Sequence, residues 1–179
     1  RVKLFATQLG YLMGLTATEQ HLLRAAALFH DVGNIVERAR HHIISQETVE
    51  KLADMGQIPY SKAEATLVGL LCRWHRKAYD PERCDELHGE PIRTGLLASL
   101  LRVADALDSD YRRFDYGAKF MQVLSFFYPE ELIFWTGLAE ILGIRIVCTP
   151  DSAGSFAVSL QAFIQAGVDA AQNYHLQAL

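Results

Sequence analysis

The sequence has 179 residues, of which 50% are hydrophobic and 21% are charged, a composition typical of a folded globular chain and not of a disordered one. This length fits one domain, or one domain with an appendage. No apolar run approaches the roughly 18 uninterrupted residues that span a bilayer, and no signal-peptide pattern is present. We therefore expect no membrane partner.

The formal net charge of −4 is unevenly distributed. Residues 1–113 contain 15 basic and 15 acidic side chains, whereas residues 114–179 contain 2 and 6. Because a non-specific nucleic-acid binder is usually basic, we do not expect nucleic acid as a partner. The cysteines Cys72, Cys84 and Cys148 form no Cys-x-x-Cys pair, which indicates a reducing compartment and predicts a cytoplasmic location.

Residues 1 to about 110 have a helical pattern. Apolar residues at three-to-four spacing predict a first helix that ends before Gly14. Two capping boxes, Thr16 with Glu19 and Ser61 with Glu64, predict the starts of two further helices. These helices are predicted to end near Gly33 and near residue 77.

The intervening segments carry weaker signals. A short helix is predicted over residues 46–55, with Ser45 as its N-cap. Residues 80–89 are polar and are predicted to form a loop. Pro91 is predicted to lie in the first turn of the helix that follows, which extends to about Leu107.

The composition changes after about residue 115. Segments rich in β-branched and aromatic residues predict strands over 121–128, 132–136, 144–149 and 156–160, with a turn at 151–154. A helix is predicted over 162–176, and a helix over 129–142 is the competing interpretation of that region. We therefore predict a mainly α fold, with a helical domain over residues 1–115 and a small strand-bearing α+β appendage over residues 116–179.

The first candidate for chemistry is the dipeptide His30-Asp31, which follows an apolar helix and precedes a glycine. A carboxylate is costly to bury without a partner. A divalent cation satisfies both side chains, through an imidazole nitrogen and a carboxylate oxygen. The alternative is structural: Asp31 caps the helix or pairs with an arginine, and His30 merely packs.

The second candidate is Asp105, an acid in the middle of an apolar helical stretch. Asp108 lies three residues later on a neighbouring part of the same face, and Arg102 lies one turn before Asp105. A core-facing acid needs a compensating charge, and a buried pair between Arg102 and Asp105 is the structural alternative to a metal.

Together, these two motifs resemble the HD superfamily of metal-dependent phosphohydrolases. With His41-His42 and the segment from Arg73 to Lys77, the chain is more narrowly similar to the C-terminal HD-like domain of exopolyphosphatase/guanosine pentaphosphate phosphohydrolase proteins. The resemblance covers residues 1–113 and implies an HD-type helical bundle.

The resemblance implies specific roles. His30, Asp31 and Asp105 would be metal ligands, with Asp31 and Asp105 also catalytic, and the ion would be Mn, Mg, Fe or Zn. It would activate water to attack a phosphate ester, nucleotide or polyphosphate. The residues implied to face this phosphorylated substrate are His42, Arg73, His75, Arg76 and Lys77.

One departure concerns a further histidine that HD enzymes carry on the helix before the His-Asp dipeptide. Residues 1–20 contain none, and His21 lies nine residues before His30, on the opposite face of the same helix. Either this ligand precedes Val2 or the metal site is incomplete.

Three interpretations follow. The first is an HD-type phosphohydrolase. The second is a non-catalytic HD-like module that binds nucleotide or polyphosphate, or forms a homodimer, within a larger exopolyphosphatase-like protein. The third is a purely structural helical domain whose acids are paired in the core.

Overall fold

A computed structural model describes residues 1–76, 79–109, 141–150 and 156–164. The chain divides into two units, Arg1–Asp108 and Ser109–Leu179. The described residues are mainly helical, which confirms the predicted fold class. The predicted boundary between residues 115 and 116 lies outside the described residues and stays a prediction.

The described part of the first unit contains five α-helices. They are α1 (Val2–Leu12), α2 (Ala17–Phe29), α3 (His41–Asp54), α4 (Lys62–Trp74) and α5 (Thr94–Leu107). Two short 3₁₀ turns, Val32–Ile35 and Arg38–Arg40, connect α2 to α3. Among the described residues, no helix is both long enough and apolar enough to cross a membrane.

Both predicted capping boxes are confirmed. The Thr16 hydroxyl accepts from the Glu19 backbone amide at 3.1 Å, and the Glu19 carboxylate accepts from the Thr16 amide at 3.0 Å. Ser61 and Glu64 form the same reciprocal pair at 3.3 and 2.8 Å. These bonds satisfy amides that the first helical turn leaves without a backbone partner, and they set where α2 and α4 begin.

The core of this unit lies around α2, which packs against α1, α4 and α5, while α3 packs mainly on α4. Leucines from several helices are fully buried there, and their burial is the main favourable term in holding the bundle together. They are Leu22, Leu23, Leu71, Leu97 and Leu101.

The segment predicted as a loop over residues 80–89 contains a β-strand, so that prediction is wrong in part. Strand β1 (Asp85–Leu87) pairs antiparallel with β2 (Glu90–Ile92). The two residues between them, His88 and Gly89, have φ values of 53° and 82°, as a tight two-residue hairpin requires. Pro91 lies in β2 and not in the first turn of α5, which begins at Thr94.

Helix α3 begins at His41, five residues before its predicted start. Ser45 therefore lies inside the helix and is fully buried, so its predicted role as an N-cap is wrong. The turn at Arg38–Arg40 leads directly into α3. Because α3 begins with the polar residues His41 and His42, apolar periodicity did not indicate its first turn. Helix α4 ends at Trp74, slightly before its predicted end.

The described part of the second unit is an antiparallel pair, β3 (Ile141–Pro150) and β4 (Phe156–Ile164). Strands were predicted at 144–149 and 156–160, and both are confirmed. Residues 162–164 belong to β4, so the predicted helix does not begin at 162, and residues 141–142 belong to β3, against the competing helix over 129–142. The predicted strands over 121–128 and 132–136 and the turn at 151–154 lie outside the described residues.

Candidate metal centre

The ends of four elements in the first unit converge on Asp31. His30 follows the last residue of α2, and Asp31 comes next; His41 is the first residue of α3. His75 directly follows α4, and Asp105 lies in the last turn of α5. We call these five residues the Asp31 cluster.

The carboxylate of Asp31 divides its two oxygens between two sets of neighbours. Oδ1 lies 3.3 Å from Nε2 of His41 and 3.6 Å from Nε2 of His75. Oδ2 lies 3.7 Å from Nε2 of His30, and that nitrogen is 3.4 Å from Oδ1 of Asp105. The cluster therefore consists of two groups, Asp31 with His41 and His75, and Asp31 with His30 and Asp105.

The three histidines share one hydrogen-bonding pattern. Nδ1 of His30 donates to the carbonyl oxygen of Ala27 at 3.1 Å, and Nδ1 of His41 donates to that of Arg38 at 2.6 Å. Nδ1 of His75 donates to the carbonyl of Cys72 in the same way. Because a carbonyl oxygen only accepts, each Nδ1 carries a proton, and each ring directs its Nε2 at a carboxylate of the cluster.

This tautomer pattern makes the contact between His41 and His75 informative. Their Nε2 atoms are 3.0 Å apart, and each ring already has its Nδ1 proton engaged with a backbone carbonyl, so an Nε2 without a second proton faces the other with a lone pair. Two lone pairs that face each other repel unless a proton or a cation lies between them. Nε2 of His30 is likewise buried and forms no hydrogen bond of normal geometry within the described part of the chain.

In the Asp31 cluster, the two carboxylates and His30 stabilise each other's charged forms. Burial raises the pKa of Asp31, but the His75, His30 and His41 side chains outweigh it and lower the pKa to about 2. Burial also opposes charge on His30, yet the Asp105 and Asp31 carboxylates raise its pKa above the ordinary value. The pKa of Asp105 is lowered, because the contact with His30 outweighs burial. The two carboxylates thus stay ionised at neutral pH and attract positive charge.

A close backbone approach positions α3 against this cluster. A Cβ atom on Gly33 would overlap the backbone of His41, so only glycine lets the turn after Asp31 lie against the start of α3. The Gly33 amide donates to the buried hydroxyl of Ser45 at 2.9 Å. These contacts bring His41 beside Asp31, ten positions earlier in the chain.

The structure brings together the three predicted metal ligands, His30, Asp31 and Asp105. His75, predicted to face substrate, lies in the Asp31 cluster. The Asp105 carboxylate faces His30, and the guanidinium of Arg102 lies over the ring of Tyr79. The structural alternative of a pair between Arg102 and Asp105 stays a prediction.

The other predicted substrate residues lie around the cluster. His42 is buried, with its ring centroid 5.6 Å from that of His41. Arg73 and Arg76 are exposed, and Arg73 donates to the Gln46 side chain at 3.4 Å. Lys77 lies outside the described residues. The substrate-binding roles stay predictions.

Sequence reasoning did not identify His41 as a member of this cluster. His41 entered only as part of the His41-His42 pair in the family resemblance, and the missing histidine was expected before Val2. His41 begins α3, whereas His30 and His75 directly follow α2 and α4, and this shared position at a helix terminus is the signal that could have marked them.

The donor set of the Asp31 cluster fits a divalent cation. Imidazole nitrogens and carboxylate oxygens are the ligands of Mn, Fe and Zn sites, and the donor atoms within each group lie within 4.8 Å of one another. The backbone carbonyls that fix the histidine tautomers are the outer partners such ligands usually have. His30, Asp31 and Asp105 would hold one ion, and Asp31, His41 and His75 form the second candidate group.

Comparison with known proteins agrees with this chemistry. The family model described as HD-CE matches residues 12–178, a range that contains the whole Asp31 cluster. No curated protein and no solved structure matches the chain. Because the match spans most of the sequence, the chain belongs to the HD-CE family and carries an HD-type domain.

Proposed function

We propose that this chain is an HD-type, divalent-metal phosphohydrolase that acts on a phosphate ester, a nucleotide or polyphosphate. The observation that carries the proposal is the sharing of the Asp31 carboxylate between two groups of donors. Each group combines imidazole nitrogen with carboxylate oxygen, and every histidine has its Nδ1 proton already engaged. A family match to an HD-type domain supports the same chemistry.

A divalent cation in this cluster would supply Lewis acidity, which lowers the pKa of water and polarises a phosphoryl oxygen. The chain's own residues would hold this cation and orient its ligands. Asp31 and Asp105 provide the anionic charge, and the backbone carbonyls of Ala27, Arg38 and Cys72 keep three imidazoles in the required tautomer.

The carboxylates are the more exposed part of the cluster. The histidine side chains are at most 7% exposed, whereas those of Asp31 and Asp105 are 39% and 27% exposed. A substrate can therefore approach the carboxylate side while protein packs around the imidazoles. His42, Arg73, Arg76 and Lys77 are the proposed substrate-binding residues, since arginine forks match phosphate oxygens. The resemblance to exopolyphosphatase proteins is what makes polyphosphate a candidate substrate.

The test is hydrolysis of p-nitrophenyl phosphate, bis-p-nitrophenyl phosphate and polyphosphate by the Mn²⁺-loaded protein. We expect Asp105→Asn to lower kcat about a hundredfold or more, because it removes a ligand charge from the site. Asp54→Asn is the matched control, since Asp54 is an exposed carboxylate at the far end of α3. Equal turnover by wild type and Asp105→Asn would refute the proposal. Tight Mn²⁺ binding without turnover of any of the three substrates would instead establish the non-catalytic module.

A further inference from the structure

Two adjacent apolar side chains close to Asp31 in the chain are largely exposed to solvent. Ile35 and Val36 are 86% and 75% exposed, which makes them the two most exposed large hydrophobic side chains among the residues that the structure describes. A single exposed apolar side chain is ordinary on a protein surface. Two adjacent ones that folding leaves in water form a surface that gains free energy when an apolar group covers it.

This apolar pair lies in the connection between α2 and α3, residues 32–40, and both ends of the connection are residues of the Asp31 cluster. Asp31 precedes it and His41 follows it, and Oδ1 of Asp31 lies 3.3 Å from Nε2 of His41. The connection is therefore a closed loop that begins and ends at the candidate metal centre. We call it the 32–40 loop.

Backbone hydrogen bonds hold the 32–40 loop in place where the apolar pair lies. The Asn34 amide donates to the carbonyl oxygen of Asp31 at 3.0 Å, and the Val36 amide donates to that of Gly33 at 3.0 Å. Because Gly33 packs closely against the backbone of His41, these bonds fix the apolar pair relative to the cluster. A surface on such a pre-organised backbone loses little conformational freedom when a ligand binds to it.

The apolar pair is within reach of a group bound at the cluster. Asp31 directly precedes the 3₁₀ turn Val32–Ile35, and such a turn rises about 2 Å per residue, so the backbone of Ile35 is roughly 8 Å from that of Asp31. The Asp31 side chain is 39% exposed and belongs to the more exposed part of the cluster. An organic group attached to a phosphate at the metal centre can therefore extend onto the apolar pair.

We propose that Ile35 and Val36 are specificity-determining residues that bind the apolar organic group of a phosphate ester. This inference rests on the proposed function and narrows its substrate class to esters whose organic part is apolar, in preference to polyphosphate. Polyphosphate has no apolar group, so it would gain nothing by covering these side chains. An aromatic or aliphatic group gains the free energy of removing both side chains, and its own surface, from water.

The experiment is calorimetric titration of phenylphosphonate and of methylphosphonate into the full chain in the presence of Mn²⁺. The two probes share one anionic head and differ in their apolar group, and neither has an ester bond that could be hydrolysed. We expect wild type to bind phenylphosphonate about tenfold more tightly. Ile35→Thr/Val36→Thr keeps both side chains β-branched and should reduce this preference to within about threefold. Its affinities for methylphosphonate and for Mn²⁺ should equal those of wild type.

Two variants serve as controls. Ile35→Val/Val36→Ile keeps the apolar surface and should keep the preference for phenylphosphonate. Met55→Thr removes an exposed apolar side chain at the far end of α3, about 20 Å along the helix from His41, and should keep the preference too.

The proposal is overturned if wild type binds the two phosphonates equally or binds neither, or if Ile35→Thr/Val36→Thr keeps the preference. It is also overturned if Met55→Thr loses the preference to the same extent. Equal weakening of both phosphonates in Ile35→Thr/Val36→Thr would overturn it as well, because the 32–40 loop would then support the phosphate site and not bind the apolar group. Conversion of a dimer to a monomer in this variant, with the preference unchanged, would instead assign the pair to an interface between copies of the chain. Failure of the proposed function shows separately, since wild type that prefers phenylphosphonate but hydrolyses no phosphate ester supports this inference and refutes hydrolysis.

Discussion

His30, His41 and His75 lie on three different elements, yet each donates its Nδ1 proton to the carbonyl oxygen three residues earlier. This local bond depends only on a histidine near the end or the start of a helix, where the backbone leaves that carbonyl within reach. It favours the tautomer in which Nδ1 carries the proton. The consequence is that three Nε2 lone pairs are available wherever the fold brings the helix ends together.

At the same scale, Gly33 decides how closely α3 approaches Asp31. We expect Gly33→Ala to lower the free energy of unfolding by about 2 kcal/mol, because its Cβ would overlap the backbone of His41. Since this overlap displaces His41, Mn²⁺ affinity should fall about tenfold. Chemical denaturation and metal titration measure the two effects.

Gly56→Ala is the control for that substitution. Gly56 has a φ of 65° and open space around it, so alanine there costs about 1 kcal/mol of backbone strain far along the chain from the cluster. Its Mn²⁺ affinity should equal that of wild type. If Gly33→Ala also binds Mn²⁺ like wild type, the close approach does not position the metal centre.

The residues that sequence reasoning identified, His30, Asp31 and Asp105, stand out because each is a polar group beside an apolar helical stretch. His41 was not identified as a cluster member because its neighbours are polar and its position depends on the Gly33 contact. His75 was assigned to substrate instead, because the resemblance implied that role for the segment from Arg73 to Lys77. In both cases the missing information was the distance between helix ends, which sequence spacing does not contain.

At the scale of elements, an ion pair between Glu19 and Arg93 joins the start of α2 to the start of α5. The Glu19 side chain is only 1% exposed and receives Arg93 bonds at 2.8 and 2.6 Å, together with the Arg93 backbone amide at 3.0 Å. The Arg93 hydrogen bond is the main cause that lowers the pKa of Glu19 from 4.5 to about 2. The pair therefore orients two of the helices that carry cluster residues.

This pair predicts how stability depends on pH. Because the folded-state pKa of Glu19 lies below the unfolded value of 4.5, its contribution is present above that pH and is lost as the pH falls towards 2. We expect Glu19→Gln to lower the free energy of unfolding at pH 7 by about 3 kcal/mol. The difference from wild type should narrow steadily between pH 5 and pH 2.

Denaturation curves at a series of pH values measure this difference. Glu47→Gln, at an exposed position on α3, is the control and should track wild type throughout. A Glu19→Gln deficit that stays constant down to pH 2 would mean that the carboxylate charge is not what stabilises the junction.

Local sequence signals predicted where α2 and α4 begin. The β1–β2 hairpin was not predicted, and the reason is also local. The capping boxes of α2 and α4 contain their own hydrogen-bond partners, so sequence is sufficient to place them. The hairpin of β1 and β2 was missed because its strands are only three residues long and its turn uses His88, an uncommon residue at positive φ.

At the scale of the whole molecule, the Asp31 cluster lies entirely within the unit Arg1–Asp108, and the family match contains all of it. Residues 1–113 have balanced charge, so the phosphorylated substrate proposed above would be attracted by local cationic side chains and not by a net positive field. Periodicity predicted the mainly α fold class, because amphipathic helices must bury their apolar faces together. It could not predict which helix ends meet, since that depends on side-chain packing between elements distant in sequence.

The central claim is that Asp31 holds a divalent cation shared with the surrounding histidines and Asp105, and the metal content of purified protein tests it most directly. After loading with Mn²⁺ and removal of free metal, elemental analysis should find at least one ion per wild-type chain. His21→Gln should match it, because His21 packs against Tyr60 away from the cluster. Asp31→Asn should retain essentially none, since both donor groups lose their common carboxylate. Wild-type metal content in Asp31→Asn, or none in wild type, would contradict the account.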